Sequence, residues 1–382
     1  MFRFSFRKLA LSAFRISVLS ALGWLAIQSA TSQPETLEAE FPKTDFSKMI
    51  VDFDEIQSGG PPRDGIPALD DPKFVPASRA AWLHPDEPVI VVTVGEGSKA
   101  YPLQIMIWHE IVNDSVNGRP LAITFCPLCN ATLVFEREFD GRTLDFGTTG
   151  RLRKSDLLMY DRQTESWWQQ FTGKGLIGEY AGRELVEYPA NIVSFEDFRR
   201  KYPEGPVLSR RTGHNRPYGE NPYRGYDRID QSPFMFAGKT DSRLPPMERI
   251  VAVRVGERFR AYPFGEFKAP EVVNDEFAGT PIVVLATREA FSALDKRTIK
   301  ESRRVPSLNA FDRRVDGRAL EFELRDGQIL DTATGSRWNG LGQAISGPMT
   351  GKRLEPLAGG VHFAFAWLAF RPETSIFQRS DP

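Results

Sequence analysis

The feature that most constrains this chain is a pattern that occurs twice. Val89 to Glu96 reads VIVVTVGE and leads to Ala100-Tyr101-Pro102; Ile250 to Glu257 reads IVAVRVGE and leads to Ala261-Tyr262-Pro263. The separation holds at 161 positions through Glu110/Glu271, Val112/Val273, Asn113/Asn274, Asp114/Asp275, Gly118/Gly279 and Pro120/Pro281. Further on, Asp140-Gly141-Arg142 answers Asp316-Gly317-Arg318, a turn between strands. Asp161, Thr164, Ser166 and Trp168 answer Asp331, Thr334, Ser336 and Trp338, and each copy closes with a short aromatic helical segment, from Ser194 and from Phe365. Self-similarity of this kind decides the fold before local propensity does. Two copies make a pseudo-symmetric pair, not a solenoid. The expectation is a mostly β (α+β) protein: two related strand-rich modules from an internal duplication, with short helices, module one over 80–208 and module two over 248–382.

Between the modules lies a bridge, 209–247, containing GHNRPYGENPYRGYD. It is too rich in Pro, Gly and Tyr for helix or strand, and too aromatic for a disordered linker. Residues 33–79 read as an N-terminal extended segment, its first part a polar, poorly ordered tether. Ahead of it, Arg3, Arg7, Lys8 and Arg15 precede an uncharged apolar run from Ile16 to Ile27 and then small polar residues. That is the order of a secretory signal peptide over 1–32, with an uncleaved N-terminal membrane anchor as the alternative. Either way the body is expected to be periplasmic or extracellular, with no later segment long and apolar enough to span a bilayer. A net charge of −1 gives no electrostatic case for nucleic acid.

The repeat also supplies an internal control on chemistry. Residues kept in both copies, such as Tyr101, Asn113, Asp114, Asp161, Ser166 and Trp168, read as structural. Those confined to copy one read as functional candidates. His109 faces Pro270, Cys126 faces Thr287, Cys129 faces Ala290, Met159 faces Ile329, Arg162 faces Thr332 and Trp167 faces Arg337. Copy one alone carries GTTGRLRKSDLLMYDR.

Cys126-Pro-Leu-Cys129 holds both cysteines of the chain and admits three readings. An exported protein with two cysteines normally oxidises them, but a bond across two residues closes almost no loop and stabilises little. A redox dithiol, Cys126 attacking and Cys129 resolving, fits the spacing. However, Ala131 to Phe135 reads as a second strand, so the motif sits on a hairpin turn and does not open a helix as in thioredoxin-like domains. Such a hairpin also presents two thiolates to one soft ion. His109 would be a third ligand and Met159 a fourth, a donor set that suits copper best and zinc next.

A separate group, Arg162, Trp167, His214 and Tyr218, could line a pocket for a small ligand or glycan, with the cysteines merely bridged. The partner in these readings is a small molecule or a periplasmic protein. His109-Glu110 lacks the second histidine of a zincin helix, and no G-x-S-x-G, P-loop or dinucleotide fingerprint occurs. Whether the chain is an enzyme stays open.

The stretches DGIPALDDPKF, WHEIVND, ITFCPLCN, FGTTGRLRKSDLLMYDRQTESWWQQ and TGSRWNGLGQAISGP together resemble the bacterial domain-of-unknown-function family numbered 3179, over about Gly59 to Phe377. The resemblance implies an exported protein and marks Cys126, Cys129 and His109 as motif members. It implies no reaction.

Overall fold

The computed structural model describes residues 34–379, so the signal peptide expected over 1–32 lies outside the described residues. Strands dominate. The α-helices are short: α1 Pro34–Glu40, α2 Leu103–His109, α3 Phe195–Lys201 and α4 Ala364–Phe370. No described helix is long and apolar enough to cross a membrane. This is the strand-rich α+β architecture that β-branched runs between closely spaced turn residues favour.

Each half of the chain holds three larger sheets and one two-stranded sheet, and the strand order of one half recurs in the other. In the first half the hairpin Pro88–Val94/Gly97–Pro102 is flanked by Asn191–Ser194 and Pro206–Leu208. In the second, Arg249–Val255/Arg258–Pro263 is flanked by Gly359–Phe363 and Ser375–Ile376. The next sheet runs Glu187–Tyr188, Ala131–Glu136, Arg119–Cys126, Ile111–Val116. Its counterpart runs Glu355–Pro356, Arg304–Asp312, Thr280–Phe291, Glu271–Phe277. The third runs Ile56–Ser58, Phe146–Arg153, Asp156–Asp161, Trp167–Gln169, Gly175–Ile177, against Phe322–Arg325, Gln328–Asp331, Arg337–Trp338, Ala344–Ser346, which lacks a counterpart of the first strand.

Polar residues common to both halves make the same contacts in each. Trp168 donates its indole N–H to Asp161 at 2.9 Å, as Trp338 does to Asp331 at 3.0 Å. Asn113 closes a two-way clasp on the backbone of Phe146, as Asn274 does on Phe322. The hydroxyl of Tyr101 donates to Asp114, and that of Tyr262 to Asp275. These buried groups hold hairpins and turns in register, because a buried polar atom left unpaired is costly. They are structural in both halves.

Two differences between the halves position the site. The first is the N-terminal segment, which is not a tether. Leu37 and Phe41 are buried, and Phe41 and Phe46 set their rings edge-on to Trp167 at 4.9 and 5.8 Å. Apolar residues spaced along this segment cover the outer face of the third sheet, with Leu158, Tyr160 and Ile177 in the same cluster. The second difference is length. Phe146 pairs with Asp161 across one hairpin and Phe322 with Asp331 across the other, which makes the first-half hairpin six residues longer.

The halves pack into one another. A single apolar cluster contains Cys126, Cys129, Met159 and Trp168 of the first half with Phe363, Phe365 and Trp367 of the second. The bridge carries no helix or strand beyond an isolated pairing of Glu220 with Thr298. Its polar side is tied to α2: Arg210 donates to Gln104, Trp108 to the carbonyl of Glu220, and His109 pairs with Tyr218.

Candidate functional site

Cys126 ends one strand and pairs in register with Ala131, which begins the next, so Pro127 to Asn130 form the turn between them. Asn130 adopts a positive φ of 46° and closes the turn by donating its N–H to the carbonyl of Pro127. Both cysteines are free and buried. Above them lies the tip of the long hairpin, Lys154-Ser155. Six two-residue turns here have both residues at positive φ, at 117–118, 140–141, 154–155, 278–279, 316–317 and 326–327. Only 154–155 does this without glycine. A side chain in that region costs roughly 1–2 kcal/mol, and backbone strain of this kind is a pointer to function.

The tip brings two oxygens to the sulfurs. The carbonyl of Ser155 accepts from the Cys129 thiol at 3.5 Å and from Cys126 at 3.9 Å. A carboxylate oxygen of Asp156 and the two sulfurs all lie within 4.8 Å of one another. Oδ2 of Asp156 accepts from the side-chain amide of Gln169 at 2.6 Å and the backbone N–H of Phe171 at 2.9 Å. Its Oδ1 is buried with no hydrogen-bond partner.

Glu110 adds a fourth acidic group. It caps the C-terminus of α2 at a φ of 58°, donating its N–H to the carbonyl of Met106 and accepting at its own carbonyl from the N–H of Phe125. Its side chain is buried beside Asp156 and Cys126.

Electrostatically the site is four acids without a counter-ion. Burial pushes Asp156 up to about 7. Burial, with the charge of Asp156 adding to it, pushes Glu110 up to about 8. Burial raises both thiols above their ordinary value, Cys129 the more strongly. Among the described residues no Lys or Arg forms an ion pair with any of the four. Desolvation therefore favours the protonated form of each, and a cation would release those protons.

The bridge roofs this group. Tyr226 donates its hydroxyl to the carbonyl of Leu128, inside the cysteine turn, at 2.9 Å and accepts from the N–H of Phe234 at 3.1 Å. Ser155 donates its hydroxyl to the carbonyl of Phe234 at 2.6 Å. From the second half, Phe363 donates its N–H to the carbonyl of Cys129.

The other expected site residues lie elsewhere. His109 is outside the donor group. Its Nδ1 is 2.8 Å from the carbonyl of Pro67 and its Nε2 2.6 Å from the hydroxyl of Tyr218, so Nδ1 carries the proton and Tyr218 donates. Burial lowers His109 to about 4, which keeps it neutral. Its two ring nitrogens tie it to Pro67 and to Tyr218 of the bridge, and it is not among the Cys126, Cys129 and Asp156 group. Met159 is fully buried on the inner strand, paired with Thr148 and Trp168 in the core. Trp167 is fully buried under Phe41 and Phe46 and offers no face to a ligand, a correction to its expected role. Arg162 pairs with Asp70 and, at 3.9 Å, with Asp64. His214 is exposed, its ring 5.3 Å from that of His109.

Asp156 and Glu110 were missed as site residues. The signal for Asp156 was present, since it lies in the stretch that only copy one carries. Glu110 was masked by its match to Glu271, which sits half-exposed, accepting from the N–H of Lys268 and pairing with Arg379.

The family described as "Protein of unknown function (DUF3179)" matches residues 63–374, most of the chain, and the chain belongs to it. None of the curated proteins and none of the solved structures matches.

Proposed function

We propose that this member of the DUF3179 family is an exported protein that holds one divalent metal ion, zinc before copper, at Cys126, Cys129 and Asp156. The observation that carries the reading is the buried group of two thiols and a carboxylate oxygen within 4.8 Å, with Oδ1 of Asp156 lacking any partner. Desolvated acids gathered without a cation destabilise a fold, and a bound cation reverses that sign. Two thiolates with a carboxylate suit zinc. Copper would be better served by the His109 and Met159 donors expected from sequence. The carbonyl of Ser155, 3.5 Å from the sulfur of Cys129, and the buried side chain of Glu110 are candidate further donors.

The donor residues are buried beneath the hairpin tip and the bridge, which suits a retained ion that braces the fold. A catalytic ion keeps an open position. Export rests on the signal pattern over 1–32. The thiol-disulfide reading is less well supported, since thiols raised by burial form little of the attacking thiolate.

The test is elemental analysis and a free-thiol count on protein exported and purified without chelator, beside Cys126→Ser and Asp156→Asn. Near-stoichiometric zinc, lost in both variants, is expected. Metal-free protein with two free thiols would sink the proposal. Metal-free protein with none would establish the disulfide instead.

A further inference from the structure

An open cleft of about 510 Å³ lies between α3 and the second-half sheet that corresponds to the first-half sheet holding Met159 and Trp168. The correspondence can be followed residue by residue. Thr287 stands where Cys126 does, and a Cβ on Gly340, which lines the cleft, would meet the Thr287 side chain at 2.8 Å. The sheet of each half packs against the closing helix of the other. In the first half Phe171 stacks on Phe370 of α4 at 4.9 Å, and Lys154 of the hairpin tip reaches the carbonyl of Ala369 at 3.2 Å. The position of Phe171 is taken in the second half by Leu341, and that of Phe370 by Lys201 of α3. The second-half hairpin is six residues shorter and ends at Asp326-Gly327. The plug and its aromatic seal are both gone, and a cleft remains.

Its charge is one-sided. Arg200, Lys201 and Arg337 line it, with Asp197 as the acidic group. Arg200 is committed to Glu196 at 2.9 Å, and Asp197 accepts from the hydroxyl of Ser194 at 3.0 Å. Among the described residues the side chains of Lys201 and Arg337 make no ion pair or hydrogen bond. Both are exposed. Two unpartnered cations facing one cleft repel each other and gain from a shared counter-charge. Trp338, Leu341 and the exposed Ile345 give the cleft an apolar wall beside them. The size falls within the ~300–1,000 Å³ of small-molecule pockets, and a net charge of −1 argues against a polyanion track.

We propose that this cleft binds a small organic anion, its carboxylate or phosphate set between Lys201 and Arg337 and its body against Leu341 and Ile345. This stands apart from the metal reading and shares no residue with it.

The experiment is calorimetric titration of the full chain with citrate, with glucose 6-phosphate and with glucose as the neutral control. It is repeated on Lys201→Glu/Arg337→Glu and on Asp156→Asn. Saturable binding of at least one anion is expected, with none for glucose, and a weakening of at least about tenfold in the charge-reversed protein but not in Asp156→Asn. Citrate binding alone would assign a carboxylate, glucose 6-phosphate alone a phosphate ester. Both substituted cations are exposed, so the variant should melt with the parent, which its Tm checks. Failure of both anions to saturate at ~10 mM, or equal binding by the charge-reversed protein, would overturn the proposal.

Discussion

The carbonyl oxygen of Ser155 lies 3.5 Å from Sγ of Cys129, at the tip of a hairpin six residues longer than its second-half counterpart. Hairpin length and cysteines differ together between the halves: where the tip is missing, so are the thiols. The next residue, Asp156, allows binding to be separated from folding. Asp156→Asn keeps the shape and can still accept from Gln169 and Phe171, but it removes the anionic donor. Metal affinity is expected to fall by at least about 100-fold. In chelator its Tm should equal or exceed the parent's, because a buried acid has been neutralised. Full metal retention by the variant would contradict the assignment.

The raised acids make the pH dependence of the metal-free protein unusual. Asp156, pushed up to about 7, and Glu110, to about 8, bind protons more tightly folded than unfolded. Their contribution to stability is present below the unfolded values near 4 and lost as pH rises through 7 and 8. Metal-free protein should therefore lose on the order of a few kcal/mol between pH 5 and 8. Metal-loaded protein, whose ion replaces the protons, should not. Denaturant unfolding with and without chelator decides this, and parallel curves would count against it.

His362 works in the opposite direction. Burial lowers it from 6.5 to about 4, so its neutral form is favoured in the fold. Stability is complete above pH 6.5 and falls as pH drops from there toward 4, by on the order of 3 kcal/mol. The ring sits 4.9 Å from both Phe171 and Trp367, an environment that accepts Phe. His362→Phe is expected to flatten the stability curve between pH 4 and 6.5, while loss of the 2.7 Å bond from Nε2 to the carbonyl of Gly359 lowers it by about 1–3 kcal/mol at pH 8. Equal acid sensitivity in the variant would show that other groups govern this limb.

Much of this arrangement was legible in the sequence. The strand-rich fold followed from VIVVTVGE and IVAVRVGE, and the hairpin under Cys126 and Cys129 from the β-branched run after them. Comparing the copies separated Asp161, Ser166 and Trp168, which turned out structural, from the stretch that holds Asp156. What stayed hidden was three-dimensional. Nothing in one dimension says that a hairpin tip folds back over the cysteine turn, or that Trp167 is covered by Phe41 from a segment whose polar composition suggested a tether. His109 looked like a ligand because it precedes the cysteines closely. A buried imidazole with a carbonyl on one side and a hydroxyl on the other has the same sequence signature.

The contact between His109 and Tyr218 can be tested as the anchor of the bridge. Tyr218→Phe leaves Nε2 of a buried histidine without its donor, at a cost of about 1–3 kcal/mol. The effect should appear first as faster proteolysis within 209–247, while metal content stays the same. A loss of metal in proportion to the lost stability would instead make His109 part of the donor group.

The strained turn at 154–155 should separate strain from function. Lys154 holds a φ of 53°, and its ammonium makes a 3.2 Å bond to the carbonyl of Ala369 and lies 5.4 Å over the ring of Phe370. Ser155, at 69°, spends its hydroxyl on the carbonyl of Phe234 in the bridge. Glycine relieves roughly 1 kcal/mol of strain at either position, offset in part by the entropy of a freer unfolded chain. Lys154→Gly is therefore expected to gain about 0.5 kcal/mol with metal content unchanged. Ser155→Gly gives up the bond that fastens the roof, so it should gain nothing in Tm and should speed metal release to an external chelator. Chelator-release kinetics on the two variants check this, because strain is relieved in both and the roof is loosened in only one.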